Sequence, residues 1–271
     1  MELNESDLPT GYLPTASQTD STLQLFPQGV IYRAYLAGVK ETRFRGVWNR
    51  EKGAGWLWDL TLGGRIGLFR YGSQAGQRPE GFQVDMEGAG IPRLNLGEDA
   101  DLESTDFRFG IPVTWGTARH QVKLAYYHVS AHLGDEFMLK RPSFKRLNYS
   151  RDVLVYGHSF YPTPSTRLYA EIGYAFVADE AQPLEGQFGW EYSPPDDTGL
   201  RGAPFAAVGA HLREEADFGG NLVGQVGWAW RSRPDSGLLR VGVQYFNGKS
   251  DQYSFYYLSE NKVGVGIWYD Y

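Results

Sequence analysis

The sequence contains no cysteine, which excludes disulfides and thiolate-bound metals as sources of stability. It also contains no run of about 18 to 20 apolar residues, so no segment is suited to cross a membrane as a helix. Basic residues are not in excess, and the net charge of −6 argues against a nucleic-acid partner. The leader up to residue 22 is polar and has no apolar signal-peptide core, so we expect a mature chain with an added start Met.

Glycine and aromatic residues, by contrast, are abundant. The 271 residues include 34 Gly, 18 Tyr, 15 Phe and 8 Trp, although the mean hydropathy is only −0.42. From about residue 42 onward, apolar and polar side chains alternate, as in "WLWDLTLGGRIGLF" and "DFRFGIPVTW". This period of two predicts strands with one apolar face. Many of the runs reach the roughly 9 to 11 residues that a tilted strand needs to cross a bilayer.

We therefore predict an all-β protein that forms a transmembrane antiparallel up-and-down β-barrel, because only helices and closed barrels pair every backbone group inside a bilayer. About twelve strands are expected, an even number as in single-chain bacterial barrels. Their predicted ranges are 41–49, 56–70, 80–90, 102–115, 118–132, 147–161, 165–177, 184–193, 202–212, 219–231, 237–247 and 260–271. Residues 1–40 are predicted to be a partly ordered leader that stays periplasmic or packs against the barrel, and residues 41–271 the barrel of a bacterial outer-membrane protein.

The links and the inward face add two expectations. The links after odd-numbered strands are mostly the longer ones, which predicts that they are extracellular. A twelve-stranded barrel is narrow, so its inward Arg, Glu and Gln side chains should largely fill the lumen with ion pairs and water. The C-terminal "GIWYDY" resembles the aromatic signal by which barrels are inserted, which implies the barrel assembly machinery as a partner.

The segment "LAYYHVSAHLGDEF" at 124–137 carries a chemical signal. Its apolar face changes to His128 and Ser130 near the outer end of the fifth predicted strand. By the same alternation, Asn148 and Asp152 fall on the lipid-facing side of the sixth strand. A histidine can take the proton of a serine hydroxyl, and a carboxylate or amide can hold the imidazole in its working tautomer. These residues predict a serine hydrolase site on the outer wall; the alternative is that His128 is an ordinary amphipathic residue of the membrane interface.

Loop carboxylates form a second candidate site. Asp135 and Glu136 lie in a predicted outer loop, and carboxylate oxygens are ligands that calcium prefers. The alternatives are ion pairs with Arg146 and Arg151, or bridging of lipopolysaccharide through divalent cations. Calcium is therefore a candidate cofactor and no other is expected.

The predicted barrel and its His-x-Ser…Asn pattern resemble outer-membrane phospholipase A. This resemblance implies that His128 is the base, Ser130 the nucleophile and Asn148 the residue that orients the histidine. The chain differs from that family in having Ala131 and His132 directly after the serine, where the family has Asn-Gly.

The His-x-Ser pattern also resembles the outer-membrane lipid A deacylase, which has an acidic third member. This resemblance implies Asp152 or Glu136 as the orienting residue. The phospholipase resemblance makes calcium plausible at the loop carboxylates. Dimerisation along the barrel wall is one possible way to gate such an activity.

A further resemblance covers most of the chain from about residue 27. The segments that carry it are "YLAGVKETRFRG", "HLGDEF", "LNYSRD", "PFAAVGAHLREEADFGGN" and "YFNGKSDQYSF". They resemble a bacterial family defined by the domain of unknown function 1207. That family implies an outer-membrane setting but no particular activity.

Three classes of function follow from the sequence. The first is a lipid-acyl ester hydrolase, a phospholipase or lipid deacylase of the serine esterase type, acting on outer-membrane lipids. The second is a narrow channel for small solutes, and the third is a non-catalytic anchor or assembly component. A hydrolase needs His128 and Ser130 on the outer wall with a third group at the histidine, whereas a channel needs unpaired lumenal charges and a continuous path.

Overall fold

The computed structural model describes residues 21–74, 78–233 and 236–271. Within these ranges the chain forms the strands β1 Thr22–Leu25, β2 Phe44–Glu51, β3 Gly55–Gly72, β4 Gly81–Asn95, β5 Asp101–Gly116, β6 His120–Leu133, β7 Ser150–Thr163, β8 Thr166–Asp179, β9 Leu184–Tyr192, β10 Ala203–Arg213, β11 Gly220–Arg231, β12 Leu238–Lys249 and β13 Ser259–Asp270. A short helix, α1, spans Asp135–Lys140, and 3-10 turns span Glu214–Ala216 and Tyr253–Phe255. Over the described ranges, no helix has the length and apolarity needed to cross a membrane.

Strands β2 to β13 form a closed antiparallel barrel of twelve strands. Each pairs with its neighbour in sequence, and β13 returns to pair with β2, with Ile267 opposite Gly46. The structure therefore confirms the predicted all-β barrel. The predicted strand ranges agree with the observed ones to within a few residues for most strands. The largest differences are that β2 begins at Phe44 and that β4 continues to Asn95.

The outer face of the barrel wall is apolar. Alternate side chains point away from the barrel, as shown by Leu62 (55 % exposed) and Val265 (58 % exposed). The side chains between them point inward, and Thr61 and Trp268 are fully buried. Because the side-chain period of a strand is two, a slip of one residue would move every apolar residue of a strand inside. The alternation in the sequence thus sets the register of the wall.

The two ends of the barrel carry different links. The α1 end has the links 52–54, 96–100, 134–149, 180–183, 214–219 and 250–258. The terminal end has both ends of the barrel chain and the links 73–80, 117–119, 164–165, 193–202 and 232–237. The α1 end has the longest link, but the terminal end also has links of substantial length. The outward orientation of the α1 end stays a prediction.

Strands β1 and β2 occupy the same position in the wall. Both pair with β3, where Leu25 lies opposite Phe69 and Phe44 lies opposite Leu62. Between them, residues 26–43 leave the wall and pass through the lumen, and we call this segment the plug. Its buried apolar side chains are Val30, Ile31, Tyr32, Tyr35, Leu36, Ala37 and Val39.

Hydrogen bonds attach the plug to the inner wall. The backbone N–H of Leu36 donates to Glu191 (2.6 Å). Arg167 donates to the carbonyl oxygens of Arg33 (2.8 Å) and Ala34 (3.1 Å). Wall side chains thus satisfy main-chain groups that would otherwise be buried without a partner.

The plug differs from the predicted leader over residues 1–40. Residues 1–20 lie outside the described residues. Residues 30–40 lie inside the barrel, because this stretch carries apolar side chains that gain free energy by leaving water. The wall itself begins at Phe44, so the predicted boundary between residues 40 and 41 falls within the plug.

The link 250–258 folds into the lumen from the α1 end. The backbone N–H of Tyr253 donates to Asp106 Oδ2 (3.1 Å), and the same carboxylate forms an ion pair with Lys40 of the plug. Lys40 Nζ also lies 4.6 Å from the centroid of the Tyr253 ring. The plug and this link therefore meet at Asp106 and together occupy the middle of the barrel.

The remaining lumen is packed as a core. Ion pairs join Arg93 and Lys262 to Asp59, Asp251 and Glu260, as the inward charges predicted. Apolar clusters lie beside them and were not predicted; the largest contains Leu36, Ala37, Val39, Val47, Phe205, Ala207, Val223, Ala229, Leu238, Phe246 and Trp268. Two cavities beside the plug have volumes of about 30 and 40 Å³. Such cavities hold a few water molecules at most.

Candidate active site on the barrel wall

His128 lies on the outer face of β6, near the α1 end. In the antiparallel register, His128 is directly opposite Asp152 of β7 and opposite Phe109 of β5. Outward alternation places Leu124 (57 % exposed) on the same face, whereas Tyr127 is buried inside. The strand pairing alone therefore places a carboxylate beside the imidazole on the outer wall.

A direct hydrogen bond joins the two side chains. His128 Nδ1 lies 2.9 Å from Asp152 Oδ1, and Tyr126 Oη donates to the same oxygen at 2.6 Å. The side chain of His128 is 42 % exposed and that of Asp152 is 23 % exposed. A carboxylate at Nδ1 favours the tautomer that carries its proton on that nitrogen. The lone pair then lies on Nε2, which is the arrangement of a general base.

Ser130 follows on the same face of β6. It lies opposite Phe107 of β5 and opposite Ser150 of β7, and it is half-buried. Residues two apart on a strand are separated by about 6.6 Å, within reach of a histidine side chain and a hydroxyl. Among the described residues, no hydrogen bond joins Ser130 to His128. A catalytic contact would require a change of rotamer, and such contacts are often long before substrate binds.

Asn148 lies apart from the imidazole. It precedes β7 in the link 134–149 and is exposed. Its Nδ2 donates to Asp179 Oδ2 of β8 at 2.6 Å. Of the candidate orienting residues, the structure brings Asp152 to the histidine and turns Asn148 towards the neighbouring strand.

Asp135 and Glu136 occupy the first turn of α1 and are both exposed. Over residues 21–74, 78–233 and 236–271, no group of three or more His, Asp or Glu side chains is placed to hold a metal ion. The helix is fixed in other ways, since Phe137 is buried and Arg141 donates to Glu98 at 2.6 Å. This hydrogen bond lowers the pKa of Glu98, because it favours the charged carboxylate.

Two features of the site were not identified from the sequence. Tyr126 shares the carboxylate of Asp152, and its signal was its place on the same face two residues before His128. In the pairing of β7 with β8, the register shifts between Asp152 and Val153, so that Phe176 of β8 has no residue opposite it on β7. Such bulges re-aim side chains and often occur beside functional sites.

A family model described as "Protein of unknown function (DUF1207)" matches residues 6–271. The chain belongs to this family. The match extends over nearly the whole sequence and confirms the resemblance found in its segments. For this DUF1207 barrel, the search of curated proteins found no match.

Solved barrels resemble this DUF1207 protein in fold. Outer membrane phospholipase A from Escherichia coli is 11 % identical with a TM-score of 0.55, and the match covers 84 % of this chain and 90 % of that chain. The Salmonella typhi outer membrane phospholipase dimer with bound calcium is 12 % identical, with the same TM-score and coverage. The KdgM porin is 10 % identical with a TM-score of 0.44, and the match covers 84 % of this chain and 99 % of that chain.

The phospholipase structures establish a shared outer-membrane barrel fold. Sequence identity of 11 to 12 % carries no activity from one barrel to another, because a fold hosts many functions. The function of this DUF1207 barrel therefore has to be argued from its own site.

Proposed function

We propose that this protein is a serine-dependent lipid-acyl ester hydrolase whose site lies on the outside of the barrel wall. The observation that carries the proposal is the hydrogen bond of 2.9 Å between His128 Nδ1 and Asp152 Oδ1 on the outward face. A hydrogen-bonded His–Asp pair two residues from Ser130 supplies a base, its orienting group and a nucleophile. An ordinary interface histidine does not require a carboxylate partner.

The proposed setting is the bacterial outer membrane, with the α1 end facing outwards. The apolar belt supports it, since residues such as Leu124, Leu154 and Val265 are each more than half exposed on the wall. A belt of this kind is stable against lipid and costly in water. Substrate would then reach the site laterally from the outer leaflet, so that the lumen takes no part.

In the proposed reaction, Ser130 Oγ attacks the ester carbonyl carbon while its proton passes to His128 Nε2. Collapse of the tetrahedral intermediate breaks the bond to the alkoxy oxygen, and His128 returns the proton to the leaving alcohol. Water, activated by the same histidine, then hydrolyses the acyl-serine to a fatty acid and free Ser130. Asp152 stays ionised and stabilises the imidazolium in both halves of the reaction.

An active-site probe tests the nucleophile without knowledge of the substrate. A long-chain fluorophosphonate should label the folded protein once, and peptide mass spectrometry should place the label on Ser130. Ser130→Ala removes the nucleophile and His128→Ala removes the base that activates it, so both should prevent labelling. The chain contains no cysteine, so no thiol can take the label instead.

Ser150→Ala is the matched control, since Ser150 is the outward residue opposite Ser130 on β7. It should be labelled like the original protein. The hydrolase proposal fails if the folded protein takes no label, or if Ser130→Ala is labelled as well.

The second candidate function is a narrow channel that opens only when the lumenal segments move. Lys40 of the plug and Tyr253 of the link 250–258 meet at Asp106, in the middle of the lumen. We therefore expect no conductance steps from the original protein in planar lipid bilayers at moderate voltage. Steps that depend on voltage would favour the channel, because they would require the plug or the link to leave its wall contacts.

Three partners stay predictions. They are a second copy of the chain along the wall as a possible gate, calcium at Asp135 and Glu136, and the barrel assembly machinery at the C-terminal strand. The Salmonella typhi structure, a phospholipase dimer with bound calcium, makes the first two reasonable to test. Hydrolysis and molecular mass should be measured together, with and without calcium.

A further inference from the structure

The barrel wall contains a gap between β3 and β13 on the terminal side. Pairing of β2 with β3 ends at Phe44 opposite Leu62, and pairing of β1 with β3 begins at Leu25 opposite Phe69. Residues 63–68 of β3 pair with β4 on one side, but within the described chain they have no strand on the side that faces β13. We call this opening the lateral gap.

The chain is fastened at both edges of the lateral gap. At one edge, Gly63 N–H donates to the carbonyl of Arg43 (3.1 Å), and the Tyr271 hydroxyl donates to the carbonyl of Gly63 (2.9 Å). At the other edge, Phe26 N–H donates to the carbonyl of Leu68 (3.0 Å). These bonds fix the width of the gap but do not fill it.

The backbone of Arg65 is left facing the gap. Backbone groups of a strand point alternately to its two neighbours, so Arg65 faces the same side as Gly63. No hydrogen bond to the Arg65 backbone from that side occurs in the described part of the chain. Its side chain points inward to Asp85 (2.5 Å) and to the carbonyl of Tyr32 (2.9 Å).

A cavity of about 450 Å³ lies at the gap, between the plug, β3, the end of β13 and the link 232–237. Its apolar lining comes from Phe26, Ile66 and Tyr269, of which Phe26 is 70 % exposed. Its polar lining includes Arg233, in the link that follows β11. The cavity is therefore apolar along the wall and cationic at the terminal end.

An unpaired backbone group at lipid depth is costly, because the hydrocarbon offers no hydrogen-bond partner. At headgroup depth, phosphate and ester oxygens can accept such bonds. Aromatic side chains mark that depth in barrels, and Tyr269 and Tyr271 line the cavity at the gap. The gap thus combines an N–H donor and a cation with an apolar surface, which matches the headgroup and chains of a phospholipid.

We propose that the lateral gap binds one glycerophospholipid of the periplasmic leaflet. Its phosphate accepts hydrogen bonds from the Arg65 backbone N–H and from Arg233, and an acyl chain lies along Ile66 and Phe26. The proposal rests on the membrane setting of the proposed function but not on the hydrolase site, which lies near the opposite end of the barrel.

Native mass spectrometry of the full chain, released from detergent that contains phosphatidylglycerol or phosphatidylethanolamine, tests the proposal. The original protein should retain one lipid. Gly64→Leu should lower the retained fraction by about tenfold, the change expected for a loss of about 1.4 kcal/mol in binding. Gly64 lies on the outward face between Leu62 and Ile66, and a Cβ there would lie 3.8 Å from the hydroxyl of Tyr271, which lines the cavity; this is an ordinary contact.

Gly224→Leu is the matched control. Gly224 also lies on the outer wall, between the exposed Leu222 and Val226, and a Cβ there meets nothing within 4 Å. It should retain the lipid. Arg233→Gln is a second variant that leaves the wall unchanged, and it should weaken retention of phosphatidylglycerol.

Several outcomes would overturn the proposal. The first is that the original protein retains no lipid. The second is that folded Gly64→Leu and folded Gly224→Leu retain the lipid equally. Displacement of the lipid by millimolar inorganic phosphate would also overturn it, since it would identify a free-anion site. If the original protein hydrolyses no lipid ester but still retains one lipid, only the proposed function is refuted.

Discussion

Replacing Asp152 with asparagine should lower the turnover of ester hydrolysis by about 10³- to 10⁴-fold, whereas Asn148→Ala should leave it nearly unchanged. The carboxylate at 2.9 Å holds the Nδ1 proton of His128 and stabilises the imidazolium. An amide in its place favours the wrong tautomer, and this change costs up to about 10⁴ in a triad. Asn148 bonds to Asp179 instead, and among the described residues it has no hydrogen bond to the ring or to Asp152.

The measurement is steady-state hydrolysis of a lipid ester in mixed micelles, with kcat and KM determined separately. The loss in Asp152→Asn should appear in kcat, because the acyl chain and headgroup do not contact this carboxylate in the proposed reaction. Tyr126→Phe is the control for the shared hydrogen bond at 2.6 Å and should cost much less. A strong loss in Asn148→Ala, with Asp152→Asn still active, would instead assign the orienting role that the phospholipase resemblance implies.

The sequence was sufficient to place the candidate residues on the outer face of the wall. Period-two alternation put His128, Ser130 and Asp152 on the outward face, and antiparallel order brought β6 and β7 together. It could not choose between Asn148 and Asp152. Asp152 lies inside β7, where register fixes its neighbour, whereas Asn148 lies in the link 134–149, whose course no short-range pattern specifies.

The course of the plug through the lumen was not predicted, because its sequence pattern differs from that of the strands. "VIYRAYLAGV" at 30–39 is apolar without a period of two, since its side chains contact the lumen on several sides at once. A search for lipid-facing strands therefore assigns it to a leader. The inward residues Val47, Ala207 and Val223 form an apolar cluster with it. Each is a small apolar residue among polar inward neighbours on its strand, so the sequence alone does not indicate that they form a core with the plug.

Removing one cation from the buried ion network should destabilise the barrel, and Arg93→Met should lower the free energy of unfolding by about 3 to 5 kcal/mol, because it leaves buried carboxylates without their partner. Arg93 donates to Asp59 (2.6 Å), Asp251 (2.8 Å) and Glu260 (2.5 Å). Methionine preserves much of the volume but leaves three carboxylates with fewer cations. Lys262 still contacts all three, at distances from 2.7 to 3.1 Å, which limits the loss.

Equilibrium unfolding in guanidinium with lipid vesicles, followed by tryptophan fluorescence, measures the effect of Arg93→Met. Arg119→Met is the control, since Arg119 is an exposed cation of the short link after β5 and should change stability by less than about 0.5 kcal/mol. An equally small change in Arg93→Met would show that water reaches the network and screens it. Such water would require an aqueous path beside the plug, and the channel would then become the favoured function. A loss of several kcal/mol instead indicates a dry lumen, which leaves the outer wall as the surface available for chemistry.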